Sequence, residues 1–278
     1  MTELAGGPRL EMNDGLLIPQ IGYGVFKVED DVAEKTVVEA LDAGYRHIDT
    51  AAIYQNERGV GAALKNSGVA REEVFVTTKL WNAEQEPLAA KKALQNSLDL
   101  LDLDYVDLYL IHWPSPWREN YLSAWETLIE MREQGLVKSI GVSNFEEEHL
   151  KKIISSTGVV PAVNQIELHP YLQQDALSQI DKEYGILTEA WSPLGQGQAL
   201  EDSALSAIAA KHSVSVAQVI IRWHVQNGRV VIPKSVTSSR IRSNFEVFGF
   251  SLDQQDLETI AQLNTDSRIG PDPKTAEF

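Results

Sequence analysis

The sequence predicts a (β/α)8 TIM barrel, and three observations predict it. Eight short β-branched or apolar runs alternate with stretches of helical period along 278 residues. The runs are continuously apolar rather than alternating, as expected of strands covered on both faces. Polar and ionisable residues recur at one end of these runs, the end where barrels carry their chemistry.

Taken in order, the strands are expected near Ile21–Phe26, His47–Thr50, Val74–Leu80, Val106–Trp113, Ser139–Ser143, Ala162–Leu168, Ile186–Trp191 and Val230–Pro233. Helical patterns fill the gaps. Val32–Asp42 comes first, then Asn56–Asn66 with Gly68 beyond it as a stop signal. Pro87 suits a first helical turn, and its pattern runs on to Leu100. Tyr121–Arg132, Glu146–Ser155, Gln173–Glu183 and Ser215–Gln226 continue the series, and Asp253 caps a last helix running to about Leu263. Asn13-Asp14-Gly15 reads as an N-terminal β-hairpin turn at the barrel floor, and the tail after Asn264 as irregular chain. Length and unbroken composition place residues 1–278 in a single barrel domain.

The rival architecture is an open dinucleotide-binding sheet. It would carry G-x-G-x-x-G after its first strand. Gly22-Tyr23-Gly24-Val25-Phe26-Lys27 lacks the third glycine, and Gly195-Gln196-Gly197 lacks the rest of the motif. Composition narrows the function. A net charge of −16 with no basic stripe argues against nucleic acid. The absence of cysteine rules out disulfides and thiolate chemistry, and it fits the cytoplasm. No apolar run is long enough for a membrane span, and Met1–Asp14 lacks the make-up of a secretory signal. No His-x-His pair occurs among the six histidines, so no metal is expected.

The strand ends supply candidates for chemistry. The second strand ends in Asp49 with Tyr54 in the loop beyond, the third holds Lys79, and the fourth ends at His112. Taken singly, Asp49 reads better as a helix cap and His112 as a satisfied core histidine. Four such groups at one mouth read as an acid–base site. Tyrosine titrates near 10 and is a poor acid at neutral pH, so a lysine cation close by is expected to lower its pKa. A carboxylate beside the lysine would keep it charged despite burial. A neutral histidine could direct a hydrogen bond at a substrate oxygen. The set suits proton delivery to a carbonyl oxygen while a hydride reaches carbon.

The segment Gly44-Tyr45-Arg46-His47-Ile48-Asp49-Thr50-Ala51, with Tyr54, Asn56 and Glu57, resembles the signature of the aldo-keto reductase family. So do Thr77–Trp81, Asp107–Pro114, Ile140–Phe145, Asn164–Glu167 and Ile232–Ser235, in the right order along essentially the whole chain. Within that family, Gln20–Val28, Gly158–Gln165 and Ser192–Gly197 are most similar to the bacterial 2,5-diketo-D-gluconic acid reductases.

The resemblance implies NADPH-dependent reduction of an aldehyde or ketone to an alcohol. It points first to 2,5-diketo-D-gluconate, giving 2-keto-L-gulonate. The alternatives are a broad-range aldehyde or methylglyoxal reductase, or a non-catalytic nucleotide-sensing barrel. Tyr54 is the implied general acid, tuned by Lys79 and Asp49, with His112 orienting the carbonyl. Ser143, Asn144 and Gln165 would hold the nicotinamide carboxamide, and Trp191 would stack on its ring. Ser192, Leu194 and Gln196 would line the pyrophosphate crossing. Lys234, Ser235, Val236, Arg240 and Asn244 would hold the adenosine end and its 2′-phosphate. Tyr23, Trp81 and Trp113, with His112, would wall the substrate pocket.

Two positions depart from the family pattern. Thr237 stands where a basic residue is often found and Ser243 where a glutamate is, which weakens the expected NADPH-over-NADH margin and the adenine contact. The short loop Pro114–Asn120 implies an open pocket. The implied partner is a small carbonyl substrate; no nucleic acid or membrane is implied, and the expected state is a monomer.

Overall fold

A computed structural model describes residues 6–278. Eight parallel strands follow one another around a sheet in chain order: Tyr23–Gly24, His47–Asp49, Phe75–Leu80, Val106–Ile111, Val137–Ser143, Val163–Glu167, Leu187–Trp191 and Val230–Val231. The sheet closes on itself through a parallel bridge between Ile21 and Val231. Gly22 N donates to Val231 O at 2.9 Å, and Gly24 N to Pro233 O at 3.1 Å, so first and last strands are stitched without a free edge. The expected barrel is the observed one.

The pleat sorts the side chains into two cores. Leu108 and Leu110 point inward with Phe75, Val163 and Val230, whereas Tyr109 and Ile111 of the same strand point outward to the helices. The strand Phe75–Leu80 is buried along its whole length, as its continuous apolar run requires. The floor is plugged by a hairpin, Arg9–Glu11 paired antiparallel with Leu17–Pro19, which inserts Met12 and Ile18 into the inner core. Asn13 Nδ2 donates to Pro161 O at 2.8 Å, tying the turn to the barrel.

The helices follow the expected order: α1 Asp30–Asp42, α2 Glu57–Asn66, α3 Pro87–Leu101, α4 Tyr121–Glu133, α5 Glu147–Thr157 and α6 Asp175–Tyr184. Pro87 opens α3 and Gly68 sits at φ 72 just beyond α2. The loop after the seventh strand is richer than expected. It forms a kinked 3-10 segment, Gly195–Glu201, and a further helix, α7 Ser203–His212, before α8 Val216–Gln226. The signal for α7 was present in Asp202, whose side chain accepts from the backbone N–H groups of Ala204 and Leu205. A short helix α9, Ser238–Phe245, follows the last strand. The final helix α10, Gln254–Ala261, starts at the expected Asp253 cap. Beyond Asn264 the chain is irregular, as expected. No single helix among the described residues is long and apolar enough to cross a membrane.

Candidate active site

A cleft of about 1110 Å³ opens at the C-terminal ends of the strands. At its floor Asp49 leaves the second strand, and the chain turns at once through a short 3-10 segment, Ala52–Tyr54, that delivers Tyr54 to the same spot. Lys79 comes from the third strand and is wholly buried. Its Nζ donates to Asp49 Oδ1 at 2.7 Å and to Thr50 O at 2.9 Å. The ammonium lies 5.2 Å from the centre of the Tyr54 ring. His112, at the end of the fourth strand, sets its ring edge-on to Tyr54 at 5.7 Å and to Trp81 at 5.3 Å. The four groups expected to meet at the mouth do meet there, with Lys79 reaching the cleft only through Asp49 and Tyr54.

Burial sets the protonation states. Desolvation, the largest single influence on Lys79, would neutralise an isolated ammonium here, but Asp49 together with Tyr54 and Glu189 outweighs it and holds the Lys79 pKa above its ordinary value. Desolvation, helped by Lys79, pushes His112 well below 6.5, so its ring is neutral. For Tyr54 the expectation of a lowered pKa is corrected. Desolvation raises it, and the pull of Lys79 offsets this only in part. The resting tyrosine is therefore a phenol.

Beside this floor lies a polar ladder. Asn144, in the left-handed region at φ 62, donates from Nδ2 to His112 O at 3.0 Å and accepts from Trp191 Nε1 at 2.8 Å. Ser143 Oγ donates to Gln165 O at 2.7 Å. Gln165 Nε2 donates to Asp49 Oδ2 at 2.8 Å and to Glu189 Oε2 at 3.0 Å. Glu189 was not anticipated. It is fully buried, and desolvation together with the Asp49 charge pushes its pKa up to about 8.

Among the described residues, His47, Asp49 and Glu189 form a group close enough to hold a metal ion. The positive charge beside Asp49 is already the protein's own, from Lys79.

Residues 20–265 match the Aldo/keto reductase family. The chain belongs to the aldo/keto reductase family. As an aldo/keto reductase it is an oxidoreductase that acts on carbonyl groups. It is 53% identical to an aldo-keto reductase of Mycolicibacterium smegmatis over 271 residues, covering 98% of each chain. It is 51% identical to the methylglyoxal reductase DkgA of Yersinia pestis over 269 residues, covering 96% of each. Among solved structures it is similar to a mutant of Gox0644 in complex with NADPH. The TM-score is 0.94 at 49% identity, covering 98% of this chain and 99% of that one.

The remaining expected residues of this aldo/keto reductase sort by position. Trp81, Trp113, Trp191, Ser192, Leu194, Gln196, Lys234, Ser235, Arg240 and Asn244 all line the cleft. Ser243 lines it too, while Thr237 is the residue before α9.

Two expected residues do not line it. Tyr23 is buried, its ring edge-on to Tyr45 at 5.8 Å and its hydroxyl donating to Ser235 O at 2.6 Å. The strand pleat turns it outward into the helix layer, and Phe26 and Ile53 stand at the cleft instead. Val236 is half exposed beside the cleft. Nor does the short loop Pro114–Asn120 leave the mouth uncovered. The tail returns over it, with Ile269, Gly270 and Pro271 in the wall and Phe278 stacked on Trp81 at 5.8 Å. Glu167 anchors that return, accepting from Ile269 N at 2.6 Å and Gly270 N at 3.0 Å.

Proposed function

We propose that this aldo/keto reductase uses NADPH to reduce small aldehydes and ketones, methylglyoxal foremost, with Tyr54 giving the proton. The observation that carries the reading is the buried Lys79 ammonium, bonded to Asp49 and close under the Tyr54 ring at the cleft floor.

The donor set of the cleft fits the cofactor. Amide and hydroxyl groups on Ser143, Asn144 and Gln165 suit a carboxamide, and the Trp191 ring suits stacking on the nicotinamide. Ser192, Leu194 and Gln196 line the stretch between, where a pyrophosphate would cross. Lys234 and Arg240, with Ser235 and Asn244 beside them, suit phosphate and adenosine in a protein of net charge −16. When bound, NADPH supplies the hydride that reaches the carbonyl carbon.

The chain's own residues handle the proton. A substrate oxygen between Tyr54 and neutral His112 meets two polar groups at the floor of an aromatic pocket that includes Trp81 and Trp113. Tyr54 passes its hydroxyl proton to that oxygen as negative charge grows there. The phenolate left behind is stabilised by Lys79, which Asp49 holds charged and in place. The raised resting pKa of Tyr54 and the nearby cation are thus complementary: one keeps the proton until it is needed, the other receives the charge.

The relatives named methylglyoxal reductase favour that substrate. One observation favours 2,5-diketo-D-gluconate as a second substrate: Lys27, at φ 58, lines the cleft next to Phe26, where a sugar-acid carboxylate would find a cation. The reading takes residues 1–278 as one barrel domain working as a cytoplasmic monomer, which light scattering would check. NADPH oxidation with methylglyoxal and with 2,5-diketo-D-gluconate, in wild type and Lys27→Met, tests the substrate. A loss in kcat/KM confined to the sugar acid supports the second assignment. No NADPH oxidation with any carbonyl overturns the reading.

A further inference from the structure

Gln165 spends both amide hydrogens inside the protein. Its Nε2 lies 2.8 Å from Asp49 Oδ2 and 3.0 Å from Glu189 Oε2. Which end of a glutamine amide is nitrogen is decided by its partners, and the Asp49 carboxylate, paired with the Lys79 ammonium, only accepts, so the end facing it is N–H. The side chain is therefore pinned in one orientation. Gln165 lines the cleft, so the polar atom it has left for a ligand is Oε1, an acceptor. A carboxamide on the nicotinamide carries N–H donors and meets that acceptor correctly.

Asp49 cannot do the pinning alone. It also accepts from Lys79, and a single acceptor on Gln165 leaves the amide free to rotate about the bond to it. Glu189 comes from the seventh strand, one strand beyond Gln165, and its register is fixed by the parallel pairing of Gln165 with Glu189. Its side chain is completely buried, and among the described residues Oε1 has no hydrogen-bond partner, with His47 Nε2 nearby at 3.8 Å. Burying an acid this way is costly, and no contact of Glu189 other than Gln165 offsets it with a hydrogen bond. Desolvation and the neighbouring Asp49 push its pKa to about 8, consistent with one ammonium, Lys79, balancing one carboxylate. In either protonation state Oε2 remains an acceptor for Gln165.

We propose that Glu189 is a positioning residue for the reduction: it locks Gln165 with Oε1 toward the cleft, which holds the nicotinamide carboxamide in the orientation that places its ring against the substrate. The inference rests on the reading that Gln165 meets the nicotinamide. A positioning role at the reacting end of a long cofactor predicts a loss in kcat with little change in cofactor affinity, because the phosphates at the other end dominate binding.

Three variants test it. Glu189→Met fills the space without an acceptor, and Glu189→Asp keeps the carboxyl group but withdraws its oxygens by one methylene. Glu189→Gln keeps an acceptor oxygen in place. Steady-state kinetics with NADPH and methylglyoxal, with NADPH titration by fluorescence, give the readouts. The expected result is a fall in kcat of at least about tenfold for Met and Asp, with the NADPH Kd within about threefold of wild type. The Gln variant stays within about threefold of wild type in kcat.

If Met does not fold, Asp carries the same comparison. A kcat near wild type for Met or Asp overturns the proposal. So does a Gln variant as impaired as Asp, which would mean that the acid itself is needed. A wild-type protein that binds NADPH but reduces no carbonyl removes the functional reading instead, and the two failures are distinct.

Discussion

Lys79 Nζ and Asp49 Oδ1 lie 2.7 Å apart, and neither side chain is more than 2% exposed. A buried pair of this kind earns little net stability as a unit, yet breaking it leaves a bare charge in the interior. The pair is thus better understood through what it presents to Tyr54 than through what it adds to folding.

Tyr54→Phe is expected to lower kcat by ~10²–10⁴-fold while NADPH still binds, because only the proton donor is lost and the ring remains. Stopped-flow reduction and fluorescence titration check the two halves. Retention of more than about a tenth of wild-type kcat would remove Tyr54 from the role.

Lys79→Met is expected to be about as damaging, and its loss should not multiply with that of Tyr54→Phe, since both act on one proton transfer. The change also strands Asp49 and should cost roughly 3–5 kcal/mol of stability. A double mutant whose loss equals the product of the single losses would place Lys79 elsewhere in the mechanism. Denaturant melts supply the stability figure.

Arg240→Ala is expected to weaken NADPH by at least about tenfold and to leave NADH nearly unchanged, as a hydrogen bond to a charged group contributes roughly 1.5–3 kcal/mol. Equal weakening of both cofactors would place Arg240 at the adenosine or in the fold.

Gly270→Ala should loosen the tail. A Cβ there would fall 2.5 Å from Trp191 Cη2 and 3.0 Å from Glu167 Oε2, so the chain must shift off its anchor. Overpacking of this kind costs ~1–3 kcal/mol, and KM for the carbonyl substrate should rise about tenfold. An unchanged KM would show that the tail is not part of the substrate wall.

Asp181 offers a pH test of the fold. It is buried with Asn164 Nδ2 and Thr188 Oγ1 donating to it, and desolvation raises its pKa to about 7. The folded state thus binds this proton more tightly than the unfolded state, whose carboxyl titrates near 4. The associated stability is fully present below that unfolded value and is lost as pH rises toward 7. Asp181→Asn has no such titration, so its Tm relative to wild type should climb between pH 5 and pH 8. A difference that stays flat across that range contradicts the buried-acid assignment.

Much of this was readable in the chain. Apolar runs spaced by helical patterns predict the barrel, and a barrel brings every strand end to one mouth. Asp49, Lys79 and His112 could therefore be gathered from three distant segments without knowing any contact. The Asp202 cap could also have disclosed α7.

Other features required the closed structure. Whether Tyr23 or Phe26 faces the cleft depends on where the first strand's pleat starts, and a two-residue strand carries too little pattern to say. Whether Tyr54 is raised or lowered depends on how far the cleft floor is removed from water, which a nearby lysine does not reveal. Glu189 reads in sequence as one polar residue in an apolar strand; its partner Gln165 is 24 residues away and is set by strand register. The return of the tail depends on Glu167 accepting from backbone groups 102 and 103 residues on. The sequence by itself determined the fold and the chemical groups at the mouth, because periodicity and strand order are local properties. Tertiary structure decided protonation, side-chain direction and the cover over the site, because burial and long-range hydrogen bonds exist only once the ring has closed.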